Sequence, residues 1–422
     1  MSDGSVDLKA EARARAYAMP LDEINLADPD LFLTDTIWPY FERLRKEDPV
    51  HHHPAHLHED GAYWSVTKFD DIMAVDTNHG VFSSEPAITI FDPKDDFTLP
   101  MFIAMDQPKH DVQRKTVSPI VSPHNLHVME PLIRGRIQKT LDSLPIGEPF
   151  DWVDKVSIEL TTQMLATLFD FPWEDRRKLT FWSDITTADA TSHYFTTEDP
   201  EMERRMHLFE CVDYFTRLWN ERVNAPPKGD LISMLAHGEA TRNMDRMEYL
   251  GNLILLIVGG NDTTRNTMTG SVLAMNQNPD QLAKLRANPS LIPSMVSETI
   301  RWQTPLAHMR RTALQDVELG GKMIKKGDKV VMWYASGNRD EDVIDNPNAY
   351  IIDRPNPRHH MSFGFGIHRC VGNRLAELQL NILWEEILTR FPEIKVVEEV
   401  TRVKSAFVKG YEKMMVVIPS RL

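Results

Sequence analysis

The sequence lacks the features that mark several common classes of protein. Its 422 residues include two cysteines, Cys211 and Cys370, which are too few for a disulfide framework or a four-thiolate metal site. It contains no apolar run of about 18 residues, so no membrane-spanning helix is predicted. The polar N-terminus has no apolar core of the signal-peptide kind, and we therefore expect a reducing, cytoplasmic location.

Positive charge and sequence repetition are scarce as well. The formal net charge of −15 at pH 7 argues against nucleic acid or an anionic membrane surface as the main partner. The absence of internal repeats and low-complexity linkers predicts an N-terminal lead-in over residues 1–20 and one compact domain over 21–422. A chain of this length can bury a core that keeps a sizeable cofactor out of water.

Helical periodicity dominates the patterns that are present. Apolar residues recur every three or four positions in the segments 129–144, 158–171, 214–223, 249–277, 292–303 and 373–391. Strand-like segments are shorter and lie at 62–69, 329–335 and 411–419. These patterns predict a mainly helical fold with small antiparallel sheets on one side.

The most informative segment runs from Ser362 to Arg374 and contains Cys370. Glycines at 364, 366 and 372 allow the backbone to approach a flat ligand closely. A helical pattern begins directly after Cys370, and a helix N-terminus favours thiolate over thiol. A thiolate in a dry, glycine-lined loop is suited to axial ligation of haem iron. A lone cysteine is usually a small buried hydrophobe, but Phe-Gly-x-Gly-x-His-x-Cys-x-Gly is a far more specific pattern.

A second unusual segment interrupts the most apolar helix. Gly259-Gly260-Asn261-Asp262-Thr263-Thr264 follows a run of aliphatic residues. Each glycine costs about 1 kcal/mol relative to alanine inside a helix, and a threonine bonded to a main-chain carbonyl bends it further. A kinked core helix packed on a neighbour would explain this segment alone. Considered together with the cysteine loop, this segment predicts a helix that leaves space for a ligand.

The cysteine loop resembles the haem-binding signature of the cytochrome P450 superfamily, and the resemblance extends over nearly the whole chain. It implies the cytochrome P450 fold in a single haem domain, with haem b (iron protoporphyrin IX) ligated by Cys370 and O2 as co-substrate. It also implies that Phe363 packs beside the sulfur, that His368 binds a haem propionate, and that Gly259 and Gly372 adjoin the cofactor.

The same resemblance assigns roles to charged and polar residues elsewhere. Asp262 and Thr263 match the acid–alcohol pair that delivers protons during oxygen activation, with Thr264 as a helix-packing neighbour. Glu298 and Arg301 match the Glu-x-x-Arg pair that braces the segment leading to the cysteine. The remaining propionate ligands fall at three positions: His110, Arg114 and Arg311, the last preferred over Arg310.

The resemblance narrows to bacterial alkane and fatty-acid terminal (omega) hydroxylases in blocks such as MFIAMDQPKHDVQR, LLIVGGNDTTRN and SETIRWQTPLAHMRR. The substrate pocket of that family falls on apolar positions, which suggests a mostly hydrocarbon substrate. These positions are Ile88, Phe102, Leu255, Leu256, Val258, Leu306 and Met309. Residues 187–211, which border the substrate access route in this family, match less recognisably.

Enzymes of that group receive electrons from a 2Fe–2S ferredoxin and its reductase. No segment of this chain resembles a fused flavin or iron–sulfur domain, so we expect separate partners, docked where Arg358, Arg369 and Arg374 flank Cys370. Alternatives are a hydroxylase of another apolar substrate (terpene or alicyclic), a peroxide-driven hydroxylase and a non-catalytic haem-thiolate sensor. A zinc hydrolase using the histidines at 51–58 has no carboxylate motif to support it, and we expect those histidines in an exposed hairpin.

Overall fold

The computed structural model describes residues 7–59, 61–94 and 96–422, and helices make up most of it. The helices are α1 (Leu8–Ala18), α2 (Pro29–Leu33), α3 (Trp38–Glu47), α4 (Phe69–Thr77), α5 (Lys109–Val117), α6 (Pro123–Asp142), α7 (Glu159–Phe169), α8 (Arg177–Thr187), α9 (Pro200–Val223), α10 (Leu231–His237), α11 (Arg246–Gln277), α12 (Pro279–Ala287), α13 (Ile292–Gln303), α14 (Tyr334–Gly337) and α15 (Asn373–Arg390). In the described ranges, none of them is both long and apolar enough to cross a membrane.

The strands are short and belong to four sheets. They are β1 (Val50–His53), β2 (Tyr63–Val66), β3 (Phe82–Ser83), β4 (Phe150–Asp151), β5 (Met309–Ala313), β6 (Val317–Leu319), β7 (Lys322–Ile324), β8 (Lys329–Met332), β9 (Lys395–Val396), β10 (Thr401–Arg402), β11 (Tyr411–Lys413) and β12 (Met415–Val417). The mainly helical fold with small sheets is therefore confirmed.

One strand pair departs from the antiparallel expectation. The largest sheet has the order β1-β2-β8-β5-β3, and β2 runs parallel to β8, with Ser65 opposite Val331. Parallel neighbours need a long crossover, and here most of the helical part of the chain lies between the two strands. The other pairs in the four sheets are antiparallel.

Helix α11 lies at the centre of the main hydrophobic core. It packs against α7, α8 and α13, and α15 packs against α6 and α13. The periodicity located α13 at its true bounds of Ile292–Gln303, whereas α9 begins at Pro200, well before the predicted segment 214–223. Asp199 caps that start by accepting a hydrogen bond from the Met202 N–H.

The N-terminal lead-in is helical where it is described. Helix α1 packs on α3 through buried Ala16, and an ion pair of 2.7 Å joins Arg13 to Glu42. Residues 1–6 of the predicted lead-in lie outside the described residues. The boundary at residue 20 stays a prediction.

The histidine-rich segment forms the expected hairpin, but the prediction that it is exposed is wrong for two of its members. His51 and His53 are buried, and His53 contacts the Ile24 carbonyl at 2.8 Å and the Ser65 hydroxyl at 2.7 Å. Pairing of β1 with β2 directs both side chains inward and leaves His52 outside. Within the described residues, no group of three or more potential ligands could hold a metal ion.

Candidate active site

A cavity of about 1020 Å³ lies between α11 and the loop that carries Cys370. Its wall also includes parts of 86–104, the connection between α8 and α9, and residues 404–407. Pockets for one ligand commonly measure about 300–1,000 Å³, so this cavity is at the upper end of that range and can accept a large flat cofactor.

The loop before Cys370 holds its shape through glycines and main-chain hydrogen bonds. Gly364 and Gly366 adopt φ angles of +64° and +63°, which favour glycine. A Cβ atom at Gly366 would also come within 2.8 Å of the Asp76 carbonyl oxygen. The Cys370 N–H donates to the Phe363 carbonyl at 2.8 Å, which places Phe363 and the cysteine together at the cavity wall.

The Cys370 thiol faces the cavity rather than bulk water, so the residue is accessible while its sulfur is poorly solvated. Burial raises the pKa of this thiol, although the N–H groups of Gly372 and Asn373 and the cation of Arg114 act in the opposite direction. The helix N-terminus alone therefore does not produce the expected thiolate, because desolvation outweighs it. A thiolate at this position requires a further positive charge at the sulfur, which a bound metal ion supplies.

Asp76, on α4, connects the cysteine loop to the rest of the site. One carboxylate oxygen accepts hydrogen bonds from the Phe365 N–H at 2.7 Å and the Tyr334 hydroxyl at 2.8 Å. The other oxygen binds Arg311 at 2.7 Å. Asp76 is buried and was not singled out from the sequence, since its position in a plain amphipathic helix carries no motif.

The four candidate propionate ligands come together in the cavity wall: His110, Arg114, Arg311 and His368. The ring centroids of His110 and His368 lie 4.2 Å apart, and burial lowers the pKa of both imidazoles. The His110 Nε2 and both ring nitrogens of His368 form no hydrogen bond with any described residue. Buried polar nitrogens are normally paired, so these residues fit a ligand that brings carboxylates, as haem does.

The structure also separates the two neighbouring arginines. Arg311 lines the cavity, whereas Arg310 pairs with Asp92 at 2.7 Å and donates to the Phe91 carbonyl at 3.2 Å. The two side chains project from opposite faces of strand β5. The preference for Arg311 agrees with this geometry.

The glycine pair in α11 opens the cavity without breaking the helix. A Cβ atom at Gly259 would meet nothing within 4 Å, whereas one at Gly260 would lie 2.7 Å from the Leu165 side chain. The Thr263 hydroxyl donates to the Gly259 carbonyl at 2.8 Å. Thr264, expected only to pack, also lines the cavity.

Asp262 is fully buried behind the cavity wall. Its carboxylate accepts hydrogen bonds from the Ser183 hydroxyl at 2.9 Å and the Thr187 hydroxyl at 3.3 Å, and it lies 3.1 Å from Arg265. Burial raises the pKa of this carboxyl, and Arg265 opposes that shift. Thr187 itself lines the cavity, so it joins Asp262 to the space above α11.

Glu298 and Arg301 form a buried bidentate pair with both N···O distances at 2.7 Å. Arg301 also donates to the carbonyls of Asn338 at 2.8 Å and Pro347 at 2.9 Å. The pair thus joins α13 to the segment that leads to the cysteine loop, rather than lying in solvent.

All seven candidate substrate-pocket residues line the cavity: Ile88, Phe102, Leu255, Leu256, Val258, Leu306 and Met309. His308, within the same stretch, lines it too and was not singled out from the sequence. The less recognisable segment contributes Thr187 and residues 188–190, 198–201 and 204 to the wall. Cys211 is fully buried in the main core, as expected.

Comparison with known proteins agrees with this arrangement. The Cytochrome P450 family profile matches residues 64–417. The chain resembles the solved structure of Cytochrome P450-153 from Novosphingobium aromaticivorans, with a TM-score of 0.86, 50% identity, and coverage of 93% of this chain and 98% of that one. It is 33% identical to Linalool 8-monooxygenase of Pseudomonas putida over 94% of this chain and 99% of that protein.

A third relative is the Methyl-branched lipid omega-hydroxylase of Mycobacterium tuberculosis (strain ATCC 25618 / H37Rv). It is 30% identical over 97% of this chain and 99% of its own length. The family match spans the cavity, the cysteine loop and the helix above them, and the solved structure shares the fold over nearly the whole chain. The chain therefore belongs to the cytochrome P450 family.

Proposed function

We propose that the protein is a ferredoxin-dependent monooxygenase that hydroxylates the terminal methyl of medium-chain n-alkanes or fatty acids. The observation that carries the proposal is the aliphatic cavity wall formed by Leu255, Leu256, Val258, Leu306 and Met309 above Cys370. Such a wall binds hydrocarbon by excluding water from it. A primary C–H bond is stronger than its secondary neighbours, so terminal selectivity requires a channel that admits only the chain end.

The residues at the base of the cavity would hold haem b. Cys370 would ligate its iron, and His110, Arg114, Arg311 and His368 would bind its propionates. When bound, the haem supplies O2 binding and reductive activation, which an axial thiolate promotes. Asp76 positions both Arg311 and the cysteine loop, so one buried carboxylate aligns the propionate site with the sulfur.

Proton delivery falls to the residues of α11 and α8. Thr263 lines the cavity, with its hydroxyl bonded to the Gly259 carbonyl, and Asp262 lies one residue before it as a buried acid with a raised pKa. A hydroxyl can pass on a proton but must be resupplied by an acid. Thr187, hydrogen-bonded to Asp262 and exposed to the cavity, provides that connection.

Electron transfer would use the surface near Cys370. Arg358 is largely exposed and pairs with Glu377 at 2.9 Å, and Arg369 is exposed beside the cysteine. With Arg374, these cations suit an acidic partner such as a 2Fe–2S ferredoxin.

Two relatives support different substrates for this cavity. The omega-hydroxylase is named for oxidation at a chain end, whereas the linalool enzyme is named for a terpene, so a terpene hydroxylase is the second candidate. A peroxide-driven hydroxylase has less support, because Asp262 and Thr263 retain the acid–alcohol arrangement.

The proposal is tested by supplying octane, dodecanoic acid and linalool to the haem-loaded enzyme with a surrogate ferredoxin system. We expect mainly terminal alcohols by gas chromatography, and more subterminal alcohol from Leu306→Ala, because a looser chain presents weaker C–H bonds. Internal alcohols from the parent enzyme, or oxidation of linalool alone, would contradict it. Cys370→Ser should lose both product and the long-wavelength carbon monoxide band of thiolate-ligated haem, whereas the core control Cys211→Ser should keep them.

A further inference from the structure

We propose that the cavity selects uncharged chains, such as alkanes, and discriminates against fatty-acid anions. The inference rests on the proposed function and decides between its two substrate classes. Two features carry it: carboxylates at the opening that lack ion-pair partners, and a neutral hydrogen-bond acceptor, His308, in the aliphatic wall.

Six carboxylates line the cavity where its residues are exposed or half-buried, and we call this region the acidic rim: Glu59, Asp92, Asp189, Glu198, Asp199 and Glu201. Two of them are neutralised. Asp92 pairs with Arg310 at 2.7 Å and Lys329 at 2.6 Å, and Glu201 lies 3.3 Å from Arg204. The other four form no ion pair with any described residue, although Asp189 and Asp199 accept hydrogen bonds from nearby N–H groups.

Two of the cations at the rim are already engaged. Arg204 donates to the carbonyls of Ile185 at 2.7 Å, Thr186 at 2.9 Å and Ala188 at 2.9 Å, so it closes the end of α8. Lys404 pairs with Asp30 at 3.1 Å. Lys94 is the remaining cation that lines the cavity there. Asp189 also interacts electrostatically with Arg204 and Lys404. The remaining three carboxylates, Glu59, Glu198 and Asp199, outnumber the one lysine and leave the opening negative.

His308 interrupts the aliphatic wall between Leu306 and Met309 and is 1% exposed. Its Nδ1 lies 3.0 Å from the Ala406 carbonyl oxygen, which can only accept, so Nδ1 carries the ring proton. Burial lowers the pKa of this imidazole to about 4, so the ring is neutral near pH 7. Its Nε2 has no partner among the described residues and is an acceptor, which suits a hydroxyl but not a carboxylate.

The cavity cations near Cys370 do not change this balance. Arg114 and Arg311 lie with His110 and His368 at the base, where they are assigned to the cofactor carboxylates. A chain whose methyl end reaches that base must leave its head group farther out. A carboxylate head group therefore meets the acidic rim, and the repulsion is screened by salt because the rim is exposed.

The test compares decanoate with methyl decanoate, which has the same acyl chain without charge, by titrating the haem-loaded enzyme and following the haem spin state. At pH 8 and low ionic strength we expect decanoate to bind roughly tenfold more weakly than the ester. The difference should shrink in 0.5 M salt, which reduces the Debye length to about 4 Å. Octane is titrated alongside as the uncharged reference.

The variant Glu59→Gln/Glu198→Gln removes two rim charges whose side chains make no hydrogen bond or ion pair within the described ranges. It should tighten decanoate binding several-fold and leave the ester unchanged. The control Glu148→Gln/Glu318→Gln removes the same charge from exposed positions outside the cavity and should change neither.

Equal affinities for decanoate and ester in the parent enzyme would overturn the inference, as would an equal response to the rim and control variants. Failure of octane and ester to shift the spin state would instead refute the proposed function, and the inference with it. Binding of ester and octane thus tests the proposed function. The ratio of the affinities for decanoate and for the ester tests the effect of the acidic rim.

Discussion

Two helices carry a buried carboxylate with an arginine three residues later, and the two pairs are bonded very differently. On α13, Glu298 binds Arg301 through both oxygens and also accepts from Arg354 at 3.0 Å and the Ile351 N–H at 2.8 Å. Its donors are guanidinium and main-chain groups, which hold their protons. This pair can fix the chain but cannot move a proton.

On α11, Asp262 accepts hydrogen bonds from two hydroxyls as well as from the Asn261 side-chain amide at 3.1 Å. Ser183 and Thr187, both on α8, donate hydroxyl protons to it, and Arg265 is shared with Asp184 at 2.6 Å. Hydroxyls both donate and accept, so this carboxyl can exchange protons with its neighbours. The spacing of acid and arginine is the same in both helices, and the surrounding donors are the basis for proposing a brace on α13 and a proton-handling group on α11.

The largest effect is expected from Arg301→Lys. Lysine keeps the charge but cannot form the bidentate pair and the bonds to the Asn338 and Pro347 carbonyls together. We expect the free energy of unfolding to fall by about 3–5 kcal/mol, with little haem retained. Urea unfolding followed by circular dichroism measures it. The half-exposed Arg134→Lys, which loosens a surface network with Glu385 and Glu386, should cost about 1 kcal/mol or less. Equal losses would show that the buried pair does not brace the fold.

The second prediction replaces each buried carboxylate by the amide of the same shape and compares the effects on stability and on product formation. Burial raises the pKa of Asp262, so ionising it costs folding free energy, and stability is lost as pH rises through the folded-state pKa. The free energy of unfolding of Asp262→Asn should therefore be at least as large as that of the parent. The difference between the two should grow as pH rises through that pKa. Product formation should nevertheless fall about 10²-fold.

The matched variant Glu298→Gln should behave in the opposite way. It leaves Arg301 without its charge partner and should destabilise the protein strongly. Unfolding curves at several pH values and product yields for both variants provide the measurement. If Asp262→Asn is destabilised as much as Glu298→Gln, Asp262 is a brace like its counterpart.

The sequence predicted those parts of the site in which residues close along the chain share one task. The predicted features in the loop 362–374, the segment 259–264 and the pair Glu298/Arg301 occur at short spacing. In the structure the first two border the cavity and the third contacts the segment that leads to the cysteine loop. Asp76 could not be found in this way, because its partners Arg311, Tyr334 and Phe365 come from distant segments and meet only in the folded chain.

The same limit applies to burial and to the substrate end of the cavity. His51 and His53 read as solvent-exposed in a polar hairpin, but pairing with β2 turns them inward. The link from Asp262 to the cavity needs Thr187, which belongs to a segment with no recognisable motif. Tertiary contacts between unrelated segments decide these features, and local patterns do not encode them.

The smallest effect concerns that link. Thr187→Val keeps the shape of this cavity-lining side chain but removes its hydroxyl, which is shared between Asp262 at 3.3 Å and the Ser183 carbonyl at 3.2 Å. We expect a roughly three- to fivefold drop in the fraction of reductant that yields product, since a typical hydrogen bond contributes about 1 kcal/mol and Ser183 still contacts the acid.

Thr186→Val is the matched control: it is the neighbouring cavity residue, and its hydroxyl donates only to the Trp182 carbonyl. Thr263→Ala is expected to mark the upper limit of uncoupling, because it removes the hydroxyl proposed to deliver the proton. Reductant consumption and product are measured in the same reaction for all three variants. If Thr187→Val and Thr186→Val convert the same fraction of reductant into product, the proton reaches the cavity by a route that does not include Thr187.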